Sequence, residues 1–229
     1  MLYNPFRGLS RREWCLYLVS LAVVLISNFV SGAPDPVNLL GTVIGVTVLI
    51  LAAKGDVWSQ VLAILFSIFY AITSYRFAYY GEMITYLGMS APIALLSVIS
   101  WLKNPYQKGE HEVKIHRLTK KQTAWMLLLT VPVTVLFYFL LKMFGTANLP
   151  ISTVSVTTSF LASCLLLLRS SYYALAYAAN DLVLITLWIL ATIEDLSFLP
   201  MIFCFVMFLI NDLYGFVSWK HREKRQIDA

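Results

Sequence analysis

Charge is scarce in this sequence: of 229 residues only 13% are Asp, Glu, Lys or Arg, against 59% hydrophobic. A soluble domain carries roughly a quarter of its residues as charges, so a soluble globular fold is excluded. Histidine is as sparse, with His111, His116 and His221 all in polar stretches outside the apolar runs. Serine or metal chemistry inside a membrane needs a base or a ligand there, and no histidine is placed to serve. The three cysteines, Cys15, Cys164 and Cys204, stand singly within or at the edges of apolar runs. They offer neither a CxxC spacing nor an even set for a disulfide framework and read as small buried hydrophobes. No metal and no other cofactor is expected.

What the chain does have is long apolar runs. A helix crossing a bilayer needs about 20 such residues, and eight runs qualify, near 14–31, 37–53, 57–77, 82–101, 123–144, 151–168, 172–192 and 197–219. They consume most of the chain, so residues 1–229 read as a single all-α integral membrane domain. With eight spans both termini share a side, and all 17 Lys and Arg except Arg76 and Lys142 fall on it, Lys108 included. That asymmetry predicts cytoplasmic termini. The net charge of +5 is therefore a topology signal, with lipid and not nucleic acid as the partner. The first run, between Arg11–Arg12 and "SGA" at 31–33, imitates a secretory signal. It is longer than the usual apolar segment of about 7–15 residues, and its loss would leave an odd number of spans, so it is expected to be retained.

The longest polar stretch, 102–122, divides the chain, and "TKKQ" at 119–122 has the form of a capping box opening the next helix. The halves resemble each other. A shift of 118 aligns Ser100–Trp101 with Ser218–Trp219, and a shift of 115 aligns Lys54 with Arg169, each a lone cation in a short turn. This predicts an additional N-terminal helix (1–34), a first triplet (35–101), a loop and connector helix (102–150), a second triplet (151–222) and a tail (223–229). One helix between triplets makes the repeats parallel, with a site expected between them near the midplane.

Two Asn–Asp pairs interrupt the last two spans. An Asp at a span centre costs about 2.5–3.5 kcal/mol to insert, so such residues face a cavity or the bundle interior. In the seventh span Tyr173, Tyr177, Asn180, Leu184 and Trp188 form one stripe with Asp181 at its edge, and in the eighth Asp212 shares a face with Phe208, Gly215 and Trp219. Asn211 and Tyr214 occupy its flank. Aromatic faces beside amide and carboxylate groups suit a flat heteroaromatic ligand with hydroxyls. The substrate-binding candidates are thus Asn180, Tyr177, Tyr173, Trp188, Asn211, Asp212 and Tyr214. Asp181 reads as a partner for a polar group on a neighbouring helix. Glu82 is expected near the outer face as a solvated mouth or gate residue, together with Tyr86 and Tyr70. Trp101 and Trp219, at span ends, read as interface anchors; Pro92 and Pro132 as kink sites.

An intramembrane aspartyl protease using Asp181 and Asp212 is the remote alternative, since that chemistry needs two facing carboxyls; "AANDLV" and "LINDLYG" lack its Gly-x-Gly-Asp pattern. The segments "RSSYYALAYAANDLVLITLW", "INDLYGFVSWK" and "YRFAYYGEMITYLGM" resemble the nicotinamide riboside transporter family, PnuC, over residues 35–222. The resemblance implies a 3+1+3 core similar to a full-length SWEET transporter, a homotrimer, and no enzymatic activity. It also implies facilitated diffusion (uniport) of nicotinamide riboside across the bacterial inner membrane by alternating access, the vitamin being retained by a cytoplasmic kinase. The family pattern Trp-x-x-Trp-x-x-x-Asn places its Asn at Asn180, whereas its Trp positions are Tyr173 and Ala176 here. Thiamine or a deoxyribonucleoside is the alternative cargo.

Overall fold

The computed structural model describes residues 3–30, 36–76, 79–107 and 111–228; the "SGA" segment and Lys108 lie outside them. Among the described residues nine α-helices build eight spans: α1 (Arg11–Val30), α2 (Pro36–Ala53), α3 (Trp58–Arg76), α4 (Tyr80–Thr85) with α5 (Ala91–Leu102), α6 (Lys120–Met143), α7 (Leu149–Leu167), α8 (Tyr173–Glu194) and α9 (Leu199–Asp228). α4 and α5 are one span broken by a π turn at Tyr86–Ser90. Pro92, next to the start of α5, cannot donate to the preceding turn, which widens there. Pro132 leaves α6 continuous. Thr119 and Gln122 form the capping box at the start of α6, with Thr119 N–H donating to Gln122 Oε1 at 2.9 Å. The apolar faces left bare, such as Leu128, Val131, Leu136 and Phe139 on α6, are what a helix presents to lipid.

The helices gather into α2–α3–α4/α5 and α7–α8–α9, joined where α2 meets α9 and where α5 meets α7; α6 packs on α7, and α1 on α2 and α9. The two joints carry matching hydrogen bonds. Trp101 Nε1 at the end of α5 donates to the Leu166 carbonyl at the end of α7 (3.2 Å), and Trp219 Nε1 of α9 donates to the Ala52 carbonyl of α2 (2.7 Å). The preceding serines repeat the exchange, Ser100 Oγ to Leu167 O and Ser218 Oγ to Ala53 O. Helix-end carbonyls lack the usual donor four residues on; Ala52 O and Leu166 O accept from the turn N–H groups of Gly55 and Arg169 as well, and each triplet adds a side-chain cap to the first helix of the other. Trp101 and Trp219 are thus not interface anchors: they are 2% and 0% exposed and lie against each other, centroids 5.7 Å apart. A tryptophan at a span end looks the same in sequence whether it faces headgroups or a neighbouring helix end.

The turns after α2 and α7 also match. Gly55 (φ 69°) and Arg169 (φ 58°) take left-handed conformations, and Asp56 N–H and Ser170 N–H reach back to Leu51 O and Leu165 O. The equivalent of Arg169 is therefore Gly55 and not Lys54, an offset of 114. The difference from the 118 of the tryptophans is taken up in the hairpins that follow.

The first described residues and the end of α9 lie on the face that carries these turns, Gly8 O accepting from Lys54 Nζ and Arg222 bonding to Glu112. The expected tail does not leave the fold: α9 runs on to Asp228 because Arg222, Arg225 and Gln226 bond to Glu112 and Arg117 bonds to Glu223. Residues 112–116 run extended across this face, with Val113 N–H donating to Gly55 O and His116 N–H to Arg169 O, both at 3.0 Å. One strap is thereby tied to both triplets, and its Val113 side chain is buried against the Trp101–Trp219 cluster.

Candidate functional site

Between the triplets lies a cavity of about 100 Å³ walled by α2, α3, the π turn, α5, α7, α8 and α9. One stripe of α8 supplies Tyr173, Tyr177 and Asn180, residues three to four apart that share a helix face. Asp181, one step round the helix, also lines the cavity and turns toward Asp212 of α9. The facing wall is aromatic: Phe66 lies edge-on to Tyr86 (5.8 Å between centroids) and 5.7 Å from Phe208. Gly45 admits these rings, since a β-carbon there would sit 2.4 Å from Phe208 and 2.9 Å from Phe66.

The polar groups are held by their neighbours. Thr158 Oγ1 of α7 donates to Asn180 Oδ1 at 2.7 Å, which holds the amide on the cavity wall. The Tyr177 hydroxyl pairs with Ser163 Oγ at 2.9 Å. The carboxyls of Asp181 and Asp212 are within hydrogen-bonding reach of one another, and both residues are 3% exposed. The cavity therefore offers ring faces for stacking, an oriented amide, and a paired carboxyl group, a set suited to a planar heterocycle with hydroxyls. Among the described residues no group of three His, Cys, Asp or Glu side chains is arranged to hold a metal.

An aromatic layer lies on either side of the cavity. Toward the face with the chain ends, Tyr173 packs edge-on to Trp219 (4.6 Å), with Trp101 and Val113 beyond. Toward the far face, Tyr70 sits over Tyr86 (4.2 Å) and accepts a 3.2 Å hydrogen bond from Trp188 Nε1. Glu82 lies in this layer as well. It is 1% exposed, not solvated as its sequence position suggested, and accepts from Ser155 Oγ across the triplet boundary at 3.3 Å. The fold brings α7 over α4, which no local pattern announces.

Of the candidates from sequence, Asn180, Tyr177, Tyr173, Asp212 and Tyr86 line the cavity. The others stand apart from it. Trp188 packs outward on Tyr79 and Phe198 and, with Tyr70 and Glu82, belongs to the far layer. Asn211 Nδ2 donates to Ser20 Oγ of α1 (2.8 Å) and to Met207 O (2.7 Å). The Tyr214 hydroxyl reaches Glu13, also on α1. Sequence reasoning passed over Asp181 as a wall residue, the Thr158 donor, and Gln60, whose Oε1 is buried without a partner. A signal for Gln60 existed: Gln60, Ser67 and Ser74 recur every seven residues, and all three are buried.

A family model described as nicotinamide mononucleotide transporter matches residues 35–221. The chain belongs to that family. The nicotinamide riboside transporter PnuC of Neisseria mucosa is 28% identical, covering 93% of this chain and 81% of its own. The PnuC of Haemophilus influenzae is 23% identical, covering 91% of each chain. The crystal structure of the vitamin B3 transporter PnuC superposes with a TM-score of 0.82 at 25% identity, covering 96% of this chain and 94% of that one. These family members are transporters and not enzymes. The two carboxyls do come within reach of one another, but in a chain of a transporter family.

Proposed function

We propose that this chain carries nicotinamide riboside across the bacterial inner membrane by facilitated diffusion, both termini being cytoplasmic. The observation that carries the reading is the inter-triplet cavity, in which Tyr173, Tyr177 and Asn180 share one stripe, in a chain of this family. Stacking on the nicotinamide ring and amide bonds to its carboxamide or the ribose hydroxyls use what the stripe offers.

The triplets act as parallel, SWEET-like repeats that rock about the cavity and expose it to one side at a time. Two features support this reading: the matched Trp101 and Trp219 bonds, and aromatic layers on both sides built from contacts between triplets. Opening inward separates Trp101, Trp219 and the strap; opening outward separates Glu82 from Ser155 and Tyr70 from Trp188. Uniport requires no coupling ion, so net uptake depends on a cytoplasmic kinase that traps the product. A homotrimer follows the family resemblance. Thiamine or a deoxyribonucleoside is the competing cargo, favoured by Tyr173 and Ala176 standing where the family pattern has tryptophan.

Titration calorimetry on the purified chain tests the substrate. Nicotinamide riboside is expected to bind more tightly than thiamine or deoxyribonucleosides. No binding of nicotinamide riboside beside clear binding of either competitor overturns the assignment.

A further inference from the structure

Asp181 and Asp212 are the acidic side chains on the cavity wall, and among the described residues no Lys, Arg or His lines it. Their carboxyls face each other, and Asp181 Oδ2 is buried without a conventional donor. The titratable side chains that feel the pair electrostatically are Tyr86 of the π turn, Tyr173 and Tyr177 of α8 and the Cys204 thiol of α9, and Tyr86 also feels the buried Glu82. Arg222 acts on Tyr173 from the side of the strap and is not a wall residue; its Nη1 bonds to Glu112. Among the described residues no cation on the cavity wall balances the pair.

Two ionised carboxylates cannot share such a site, because like charges at hydrogen-bond distance in a dry interior repel strongly. One proton held between them removes that repulsion and supplies the missing donor, leaving a single negative charge spread over both groups. A buried net charge is stable only when an opposite charge meets it. In the empty cavity a second proton can remove that charge; in the occupied cavity a cationic ligand meets it instead and favours the singly protonated pair.

We propose that the Asp181–Asp212 pair is the charge-selecting element of the cavity, sharing one proton and presenting one negative charge to a ligand whose flat heteroaromatic ring carries one positive charge. The inference rests on the transporter reading above and adds what that reading leaves open: why a cavity able to stack any base accepts a cationic one. Asn180 and the tyrosines read shape and hydroxyls; the carboxyl pair reads charge. Neutral nucleosides fit the rings but leave the pair unbalanced.

The test uses the purified full chain and matched ligands in titration calorimetry. Nicotinamide riboside has a pyridinium ring, whereas its 1,4-dihydro form is nearly isosteric and neutral; thiamine carries a thiazolium, and uridine is neutral. Wild type is expected to prefer the pyridinium form over the dihydro form by about tenfold or more. Asp181→Asn and Asp212→Asn should each keep that preference within about threefold, because an amide N–H replaces the shared proton and one carboxylate remains. The double variant should bring the two forms to near-equal affinity while still binding the dihydro form, which also reports that it is folded. A wild-type preference near one overturns the proposal without any variant. So does a preference that survives in the double variant, or one that either single variant abolishes as fully as the double. If wild type binds neither nicotinamide form but prefers thiamine over uridine, and the double variant loses that preference, the substrate assignment fails and the charge selection stands.

Discussion

Asn180–Asp181 on α8 and Asn211–Asp212 on α9 are the same dipeptide on neighbouring helices, yet their amides face opposite ways. Successive helix residues point about 100° apart, so one dipeptide serves two interfaces. In both helices the aspartate turns to the α8–α9 contact and meets the other aspartate. Asn180 is then left on the side of α7 and the cavity, where Thr158 orients it. Asn211 is left on the side of α1, where Ser20 receives it. The residues are alike; their roles follow from which helix stands next to them. The cavity therefore contains both aspartates and one asparagine, and the second asparagine fastens the additional N-terminal helix to the core.

The largest expected effect that probes this contrast is on uptake by Asn180→Ala. Removing a buried amide from a ligand costs roughly 10–100-fold in affinity, so nicotinamide riboside uptake in cells should fall by that order with expression unchanged. Uptake at the wild-type rate would place the ligand elsewhere. Asn211→Ala comes next, and acts on stability: with the bond to Ser20 and packing lost, unfolding should become easier by about 1–2 kcal/mol, read as a lower melting temperature in detergent. Ser20→Ala should reproduce part of that loss, and a double-mutant cycle with Asn211→Ala should return roughly 0.6 kcal/mol of coupling; no coupling would detach the amide from α1.

A smaller pair of changes tests the symmetry of the frame that holds both dipeptides. Trp101→Phe and Trp219→Phe each keep a ring and remove one N–H from a helix-end carbonyl, at about 1 kcal/mol each. Similar melting shifts support matched triplets, whereas a shift confined to one of them would argue against the exchange. Least affected should be ligand affinity in Tyr214→Phe, since its hydroxyl meets Glu13 and not the cavity. A change beyond about twofold there would move the site toward α1.

Much of this frame is legible in the sequence because membrane helices announce themselves locally. Eight apolar runs, the capping box at Thr119 and the Tyr173–Tyr177–Asn180 stripe depend only on neighbours along the chain. What stayed hidden depends on which helix packs against which. Asn211 and Tyr214 share a flank of α9 with nothing in their spacing to reveal that α1 covers it. Trp101 and Trp219 resemble lipid anchors until the opposite triplet's helix end is placed above them. Glu82 stands beside a predicted outer turn and is buried only because α7 crosses it. The strap at 112–116 has no helical period at all; it is held by carbonyls of two distant turns and by the unexpected length of α9.

The substrate is proposed to bind in the cavity beside Asn180, and not on the α1 side beside Asn211. Calorimetric titration of nicotinamide riboside into Asn180→Ala and Asn211→Ala, prepared side by side, tests it most directly. Asn180→Ala is expected to lose about tenfold or more, and the less stable Asn211→Ala to keep an affinity within about threefold of wild type. Equal losses in the two variants, or the larger loss at Asn211, would contradict it.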